Sequence, residues 1–403
     1  MSYPLARQTR PLRVLHIVAN YPDGVFVQPT TRAVPNLIEV TADGMSHFVV
    51  SIARVLPFGT STEVHRGNTL SLSYTGLPLL LGCRFTFSRL ATRITECLER
   101  LELKFDVVHA HKLSVEGLAG EFVATHFALP LVCTIRGYTD VRLLRLRPDL
   151  HVRFARILGT AQRIFAPAPW VVDATCRYPK VASRAALERK LVLLPNVVKN
   201  VTHSLPPAAG GEENRFVTIF RAGQGRDKGF PLLVDGLKNA VSRGRQVHLD
   251  VIGCDSDSAE GRLVETANLH GTVSFLGRLD NKETLSRLPG YKALLMPSRR
   301  ETFGMVYLEA LLSGVPIMYS AGTGIDGYFD GDNIGVRVDP EDGESVAAGV
   351  LELCDRGANF RAELARLLAC GRFAMFSTDA IAKTYRDALE GAAFAVASNP
   401  RAA

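Results

Sequence analysis

Short, continuously apolar runs alternate with helical stretches along the chain, and this alternation occurs twice. The first series is RVLHIVAN (13–20), HFVVSIARV (47–55), FDVVHAH (105–111) and LPLVCTIRG (129–137). The second series is RFVTIFRAG (215–223), VHLDVIG (247–253), TVSFLG (272–277), KALLMPS (292–298) and VPIMYS (315–320). Strands that are apolar throughout and separated by helices are typical of parallel sheets covered on both faces. The sequence therefore predicts an α/β protein with two doubly wound Rossmann-like domains.

A Pro/Gly-rich stretch between the two series predicts the domain boundary. We expect an N-terminal domain at 1–199, a linker at 200–214 and a second domain at 215–375. A helical stretch follows the second sheet, and residues 376–403 are expected to cross back to the first domain. If the two domains face each other across a cleft, ligands bind at the carboxyl ends of the strands.

Composition narrows the class of protein. The chain has 403 residues, enough for two such domains, and 47% of them are hydrophobic. Its seven cysteines are scattered, which suits a reducing cytosol and argues against a disulfide framework or a zinc site. No run has the pattern of a signal peptide or the length of a membrane span, so a cytoplasmic location is expected.

The formal net charge is +7, and the excess of Lys and Arg lies in residues 1–200. This imbalance indicates either an anionic partner or an arginine-rich composition without a binding role. With one Trp and no aromatic stacking platform, the sequence does not predict nucleic-acid binding.

Two carboxylates, Glu301 and Glu309, stand out in PSRRETFGMVYLEALLSG (297–314). The helix predicted at 305–312 is apolar on nearly every side except at Glu309, whose buried carboxylate needs donors. Helical geometry would separate the two carboxylates by about 12 Å along the axis, enough to hold different parts of one extended ligand. Gly304 permits close approach of the backbone, and the free N–H groups at a helix start attract phosphate. The structural alternative is that Glu301 complements the helix dipole and Glu309 pairs with an arginine.

This segment resembles the Glu-x7-Glu signature of retaining GT-B glycosyltransferases of glycosyltransferase family 4. The family pattern is met at Pro297, Ser298, Glu301, Phe303, Gly304, Glu309, Ala310, Gly314 and Pro316. The resemblance implies that Glu301 contacts the donor sugar and that Glu309 holds the ribose hydroxyls of a nucleotide. It also implies that the diphosphate is cradled by the backbone of Phe303, Gly304, Met305 and Val306.

RAGQGRDKGFPLL (221–233) resembles the Gly-Arg…Lys-Gly motif of the same family. Lys228 takes the lysine position, and the arginine position is offered by Arg221 at the strand end or by its rival Arg226. We favour Arg221. Two cations beside a diphosphate stabilise the leaving group as charge develops on it, so Lys228, Arg221 and Glu301 form the predicted catalytic set.

Two further loops resemble the nucleotide-binding loops of the family. One contains Gly253, and the other contains Gly277, Arg278 and Leu279, whose backbone is expected to read the base. Asp255 and Asp257 form a D-x-D string, which holds Mn²⁺ or Mg²⁺ in transferases of a different fold. Because the string follows a strand of the wrong fold, no metal or other cofactor is expected here.

Three residues of the first half are predicted to border the acceptor: Gly24, His111 and Arg136. NYPDGVF resembles the first loop of the family, in which Gly24 would allow close approach. His111 follows a strand predicted to end at the cleft, whereas His109 is expected to be buried. Arg136 replaces the histidine of the related His-Gly-x-Asp segment, and it can hold a hydroxyl or phosphate but cannot act as a base at neutral pH.

The basic segment 141–164 mixes six arginines with Leu, Ile and Phe. It predicts either an anionic membrane surface as a partner, with the protein peripheral on the inner membrane face, or an ordinary solvated amphipathic face.

Taken together, the resemblance implies transfer of a sugar from a UDP- or GDP-linked donor to a hydroxyl of a glycan or lipid-linked acceptor. Two alternatives stay open. One is a different enzyme on the same fold, an epimerase or a phosphorylase, and the other is a catalytically silent GT-B-like binding protein.

Overall fold

The structure is a computed structural model that describes residues 10–26, 31–55, 61–76, 83–177, 183–199 and 214–398. The predicted linker, 200–214, therefore lies outside the described residues except for Asn214 at its end. Contacts divide the chain into two compact units. Unit 1 comprises Met1–Pro167, Val171–Val197 and Thr378–Ala403, and unit 2 comprises Ala168–Trp170 and Val198–Ser377.

Unit 1 contains an eight-stranded sheet with the strand order β3-β4-β2-β1-β5-β6-β7-β8. Its strands are β1 (Leu12–Ala19), β2 (Met45–Val55), β3 (Glu63–Arg66), β4 (Thr69–Thr75), β5 (Val107–Ala110), β6 (Leu131–Thr134), β7 (Arg163–Ala166) and β8 (Leu191–Leu193). The helices between them are α1 (Ala33–Thr41), α2 (Cys83–Arg100), α3 (Val115–His126), α4 (Tyr138–Leu146), α5 (His151–Thr160), α6 (Pro169–Arg177) and α7 (Arg184–Lys190). The order changes direction between β1 and β5, which are neighbours in the sheet.

One edge of this sheet differs from the sequence prediction. Strands β3 and β4 form an antiparallel hairpin, with Arg66 opposite Thr69 across a two-residue turn, whereas the remaining pairs recorded in this sheet are parallel. The sequence did not predict β3 because its residues, EVHR, are polar and mostly exposed and so carry no apolar periodicity. The turn residues Gly67 and Asn68 were the available signal.

Unit 2 contains a six-stranded parallel sheet with the order β11-β10-β9-β12-β13-β14. Its strands are β9 (Arg215–Ile219), β10 (His248–Ile252), β11 (Val273–Phe275), β12 (Ala293–Leu295), β13 (Ile317–Ser320) and β14 (Gly335–Val338). Its helices are α8 (Phe230–Ser242), α9 (Ala259–Thr266), α10 (Asn281–Arg287), α11 (Met305–Leu312) and α12 (Gly343–Ala369). This is the doubly wound order of a dinucleotide-binding sheet, and its direction changes between β9 and β12.

The last helix, α13 (Thr378–Ser398), follows the second sheet in sequence but groups with unit 1. Its buried residues Tyr385 and Leu389 lie in one apolar cluster with Val14 of β1, Leu37 of α1 and Val107 of β5. Helices α1 and α13 therefore cover the same face of the unit 1 sheet. A second apolar cluster fills unit 2 between its sheet and helices α8 and α12.

Candidate functional site

The topology of unit 2 brings two of the predicted loops together. The loop with Arg221 and Lys228 follows β9, and the loop with Glu301 follows β12, and these strands are adjacent where the strand order changes direction. Ligands of open α/β sheets bind outside the carboxyl ends of the strands at this kind of switch point.

Glycine at position 229 allows these two loops to touch. Gly229 has φ of +73°, and a Cβ added there would lie 2.0 Å from the Pro297 carbonyl oxygen. The backbone N–H groups of Arg299 and Arg300 both donate to the carbonyl oxygen of Asp227, at 2.9 and 3.2 Å. The backbone of one loop is thus fixed on the backbone of the other, so their side chains meet at a defined place.

Lys228 and Glu301 meet there as an ion pair between the lysine Nζ and the glutamate Oε2. Both side chains are largely shielded from solvent, with relative exposures of 18% and 15%. The other carboxylate oxygen of Glu301 accepts a hydrogen bond from the Thr302 N–H at 2.9 Å. The buried Thr323 hydroxyl holds the Glu301 backbone, since it accepts from the Glu301 N–H at 3.1 Å and donates to its carbonyl at 2.5 Å.

The start of α11 lies directly after this pair. Gly304 has φ of +74°, and an added Cβ would come within 2.3 Å of the Tyr307 ring, so the turn requires glycine. The Phe303 side chain is fully buried, which leaves only its backbone for a ligand, whereas Met305 and Val306 are partly exposed. The first N–H groups of a helix have no acceptor inside it and form a site for anions.

Glu309 is the only charged side chain of α11, and its carboxylate has one recorded partner in the described part of the chain. Asn281 donates to its Oε1 at 3.3 Å. Burial raises the pKa of Glu309, and the Asn281 hydrogen bond lowers it by less. A carboxylate that is shielded from solvent and has a single hydrogen-bond donor can accept further hydrogen bonds from hydroxyl groups.

Asn281 also connects Glu309 to the predicted base-reading loop, which ends two residues before it. Gly277 has φ of +64°, and its carbonyl accepts from the Gly253 N–H at 2.7 Å. Arg278 is exposed and Leu279 half-buried. The structure therefore brings Gly253, Gly277 and Glu309 to the same side of the unit 2 sheet.

Glu260 organises the β9 loop, although the sequence did not single it out. Its carboxylate accepts from the backbone N–H groups of Gly223 and Gly225, at 3.1 and 3.0 Å. Burial would raise the pKa of Glu260, but these donors outweigh it and hold the pKa below its usual range. Arg221 and Arg226 are both exposed, and neither side chain has a recorded bond with the described residues.

The predicted acceptor residues lie at the carboxyl ends of β1, β5 and β6 in unit 1. Gly24 is exposed with φ of +69°, in a loop whose Asp23 accepts from the Val25 and Phe26 N–H groups and from the Ser71 hydroxyl. Arg136 is half-buried after β6 and donates to Asn196 Oδ1 and to His111 Nδ1, both at 2.9 Å.

His111 follows the carboxyl end of β5, and its ring lies in the core of unit 1. Only 1% of its surface is exposed, and both ring nitrogens are bonded, Nδ1 to Arg136 and Nε2 to His16. The ring therefore has no free nitrogen, and contact between His111 and an acceptor stays a prediction. The prediction that His109 is buried and satisfied is confirmed, with bonds to Tyr385 and Thr134.

Sequence reasoning missed several residues that support the site. Thr323 and Glu260 act through backbone groups distant in sequence, which no local pattern reveals. Trp170, whose indole N–H donates to the Thr302 carbonyl at 2.9 Å, belongs to the short segment that groups with unit 2. His16 and His47 had a detectable signal, since each is an ionisable residue inside a mostly apolar strand.

Asp255 and Asp257 of the D-x-D string are exposed. Within the described ranges, one group of three potential metal ligands is found, His16, His109 and His111 of unit 1. No described helix is long and apolar enough to cross a membrane.

The two units together have the GT-B fold, and comparison with known proteins shows that the chain is similar to glycosyltransferases. Residues 206–366 match the family described as Glycosyl transferases group 1. The D-inositol 3-phosphate glycosyltransferase of Paenarthrobacter aurescens is 27% identical over 314 residues, which cover 73% of this chain and 76% of the relative.

Solved structures with a similar fold match most of the chain. Sucrose-phosphate synthase from Thermosynechococcus elongatus superposes with a TM-score of 0.70 at 20% identity and covers 96% of this chain and 100% of its own. Anabaena HepE in complex with UDP and glucose gives a TM-score of 0.63 at 14% identity and covers 94% and 99%. The predicted GT-B fold with two Rossmann-like domains is confirmed.

Proposed function

We propose that this protein is a retaining glycosyltransferase that moves a sugar from a UDP- or GDP-linked donor to an acceptor hydroxyl. The observation that carries the proposal is the contact between Lys228 and Glu301 at the start of α11, with Glu309 eight residues further on. This arrangement supplies a cation and free N–H groups for a diphosphate, and a carboxylate on each side of it.

The donor would lie with its nucleotide toward Glu309 and its sugar toward Glu301. Glu309 would accept hydrogen bonds from the two ribose hydroxyls, and the backbone at Gly277, Arg278 and Leu279 would contact the base. A neighbour of the same fold has been crystallised with UDP and glucose, which supports a uridine nucleotide as the first donor to test.

The reaction would proceed on one face of the sugar. The acceptor oxygen forms its bond to the anomeric carbon as the bond to the diphosphate oxygen breaks, and the acceptor proton passes to that leaving phosphate oxygen. Lys228 and the start of α11 stabilise the negative charge that develops on the diphosphate, so positioning and electrostatics carry the rate. No metal ion is assigned a role in this proposal.

Product stereochemistry tests the reaction type. The protein is incubated with UDP-glucose, UDP-N-acetylglucosamine, UDP-galactose or GDP-mannose and with candidate acceptors, among them inositol phosphates, which the name of a relative suggests. NMR of the early product is expected to show the anomeric configuration of the donor. An inverted product contradicts the retaining mechanism, and conversion of the sugar nucleotide without acceptor supports an epimerase instead.

The second diphosphate cation is assigned to Arg221, which lies two residues after β9, over Arg226. The paired substitutions Arg221→Met and Arg226→Met remove the same charge from the same loop. We expect kcat to fall roughly 10-fold or more for Arg221→Met and by less than about 2-fold for Arg226→Met. The opposite ranking assigns the role to Arg226.

Part of the basic segment fits an anionic membrane surface. Arg147 is paired with Asp149, and Arg156 is paired with Glu121. Arg142 and Arg145 are exposed on α4, and two apolar residues of the same segment, Leu146 and Val152, are also exposed.

We propose that this face contacts anionic lipid and brings a lipid-linked acceptor within reach. Co-sedimentation with phosphatidylserine-containing vesicles is expected for the native protein and lost in the double variant Arg142→Glu/Arg145→Glu. Arg243→Glu in unit 2 is the control for the change of charge. Equal sedimentation of native protein with neutral and anionic vesicles contradicts the assignment.

A further inference from the structure

Four buried histidines form a polar strip on one face of the unit 1 sheet. His47 of β2 is opposite Val14 of β1, and His16 of β1 is opposite Val49 of β2 and His109 of β5. Residues paired across parallel strands point to the same face, and His111 lies two residues beyond His109. The strip is therefore on the face covered by α1 and α13, with all four rings at most 8% exposed.

Three of the rings are joined end to end by hydrogen bonds. Arg136 Nη2 lies 2.9 Å from His111 Nδ1, and His111 Nε2 lies 2.8 Å from His16 Nδ1. His16 Nε2 lies 2.9 Å from His47 Nδ1, and His47 Nε2 lies 3.2 Å from the Thr41 hydroxyl. We call this series, from Arg136 to Thr41, the histidine relay.

The groups at its two ends determine which ring nitrogens of the relay donate hydrogen bonds and which accept them. A guanidinium only donates, so His111 Nδ1 must accept and its proton must be on Nε2. His111 Nε2–H donates to His16 Nδ1, so the proton of His16 is on Nε2. In the same way His16 Nε2–H donates to His47 Nδ1, so the proton of His47 is also on Nε2. At the far end the Thr41 hydroxyl lies 2.7 Å from the Leu37 carbonyl, where its own proton goes, and it is left to accept from His47.

We propose that Arg136 fixes His111, His16 and His47 in the single Nε2–H tautomer, and that this relay holds the guanidinium in place at the end of β6. The other anchor of Arg136 is Asn196 Oδ1. These bonds use two of its five donors, and no partner of the other donors is recorded among the described residues. His16 and His47 are then positioning residues, and this role in the reaction rests on the proposed function.

The hydrogen bonds of His16, His109 and His111 disfavour a metal ion bound by these three rings. Each of their ring nitrogens already has a hydrogen-bond partner, His109 with the Tyr385 and Thr134 hydroxyls at 2.8 and 2.7 Å. A cation placed among them would also lie close to the charged Arg136. Zinc could bind there only if these hydrogen bonds were broken and the repulsion from the Arg136 guanidinium were overcome.

Long-range proton–nitrogen NMR of ¹⁵N-histidine-labelled protein tests the relay directly, because protonated and unprotonated ring nitrogens differ in chemical shift. At neutral pH we expect His16, His47 and His111 to carry their proton on Nε2, with assignments from single His→Gln variants. A proton on Nδ1 in any of the three, or an imidazolium, overturns the proposal. Stoichiometric zinc binding that shifts all three rings also overturns it.

The role of Arg136 is tested by two substitutions. Arg136→Lys keeps an obligatory donor and is expected to keep the single tautomer, whereas Arg136→Met removes it and is expected to give mixed tautomers. Unchanged tautomers in Arg136→Met show that the arginine does not set them. These readouts need no activity, so they stand even if no transfer reaction is found.

A kinetic measurement separates positioning from fold stability. In His16→Gln, we expect kcat to fall roughly 10-fold while KM for the donor changes by less than about 2-fold, since nucleotide contacts are assigned to unit 2. A loss of donor binding of the same size as the loss of kcat contradicts a positioning role. Circular dichroism establishes that the variant is folded.

Discussion

The Lys228 ammonium contacts the Glu301 carboxylate because the loops after β9 and β12 are fixed on each other through their backbones. The pair depends on Gly229, which lies against the Pro297 carbonyl, and on Thr323, which holds the backbone of Glu301. Two charges widely separated in sequence thus become one element of the site at the topological switch point.

Neutralising Glu301 tests its assignment to the sugar. In Glu301→Gln we expect kcat to fall roughly 100-fold or more, with nucleotide affinity changed by less than about 3-fold, because the nucleotide is assigned to Glu309. Steady-state kinetics with the best donor and calorimetry with the nucleotide give the two numbers. The matched control is Glu341→Gln, an exposed glutamate 3.4 Å from Arg299, which should leave both unchanged. A purely structural Glu301 would instead show lower stability with kcat retained in the folded fraction.

Adding a Cβ at Gly229 tests the close approach of the two loops. Gly229 and Gly244 have similar φ, +73° and +75°, but an added Cβ would collide with the Pro297 carbonyl only at Gly229, whereas Gly244 has no atom within 4 Å. Gly244→Ala is expected to cost about 1 kcal/mol from backbone conformation alone. Gly229→Ala is expected to cost at least about 2 kcal/mol more in free energy of unfolding and to reduce kcat. Equal costs in urea unfolding would mean that the loops are not in contact.

The buried histidines predict that acid destabilises the protein. Burial holds the pKa values of His16, His109 and His111 well below the usual 6.5, and lowers that of His47. Below pH 6.5 the unfolded chain binds protons that the folded chain does not, so stability rises with pH in this range. Each strongly shifted histidine contributes up to about 1.4 kcal/mol per pH unit.

Asp140 acts in the opposite direction, because burial raises its pKa to about 7, so the folded protein keeps a proton that the unfolded chain releases. The charged groups near the histidines and Asp140 are Arg136, Lys112 and Glu116. With three or more histidines against one aspartate, the free energy of unfolding should fall from pH 6.5 to 5.5. Asp140→Asn should steepen that fall, and urea unfolding across this range measures both. A flat profile in the native protein would show that the histidines are not neutral in the fold.

Helices with strong end signals were the part of the fold that the sequence predicted best. The helix predicted at 305–312 has the same bounds in the structure, since Gly304 precedes it and Ser313 and Gly314 follow it. The β3–β4 hairpin was missed because its edge strand is polar, and β14 (GVRV) because it is short and alternates with an exposed arginine.

Local motifs in the sequence predicted the candidate residues Lys228, Glu301 and Glu309, and the structure brings Lys228 and Glu301 into contact. The site was not predictable where one side chain holds the backbone of another loop, as Thr323 and Glu260 do. The burial of His111 depends on the register of β1, β2 and β5, which fixes the neighbours of a strand residue but cannot be read from one strand alone.

Calorimetric titration of the protein with UDP, GDP, ADP and CMP tests the central claim most directly, namely that unit 2 holds a nucleotide through Glu309. We expect one nucleoside diphosphate to bind, with UDP and GDP the candidates. Glu309→Gln is expected to weaken its affinity roughly 10-fold or more, whereas Glu283→Gln, a change at an exposed glutamate of α10, should leave the affinity unchanged. Absence of binding to all four nucleotides, or equal affinity in the native and Glu309→Gln proteins, would contradict the central claim.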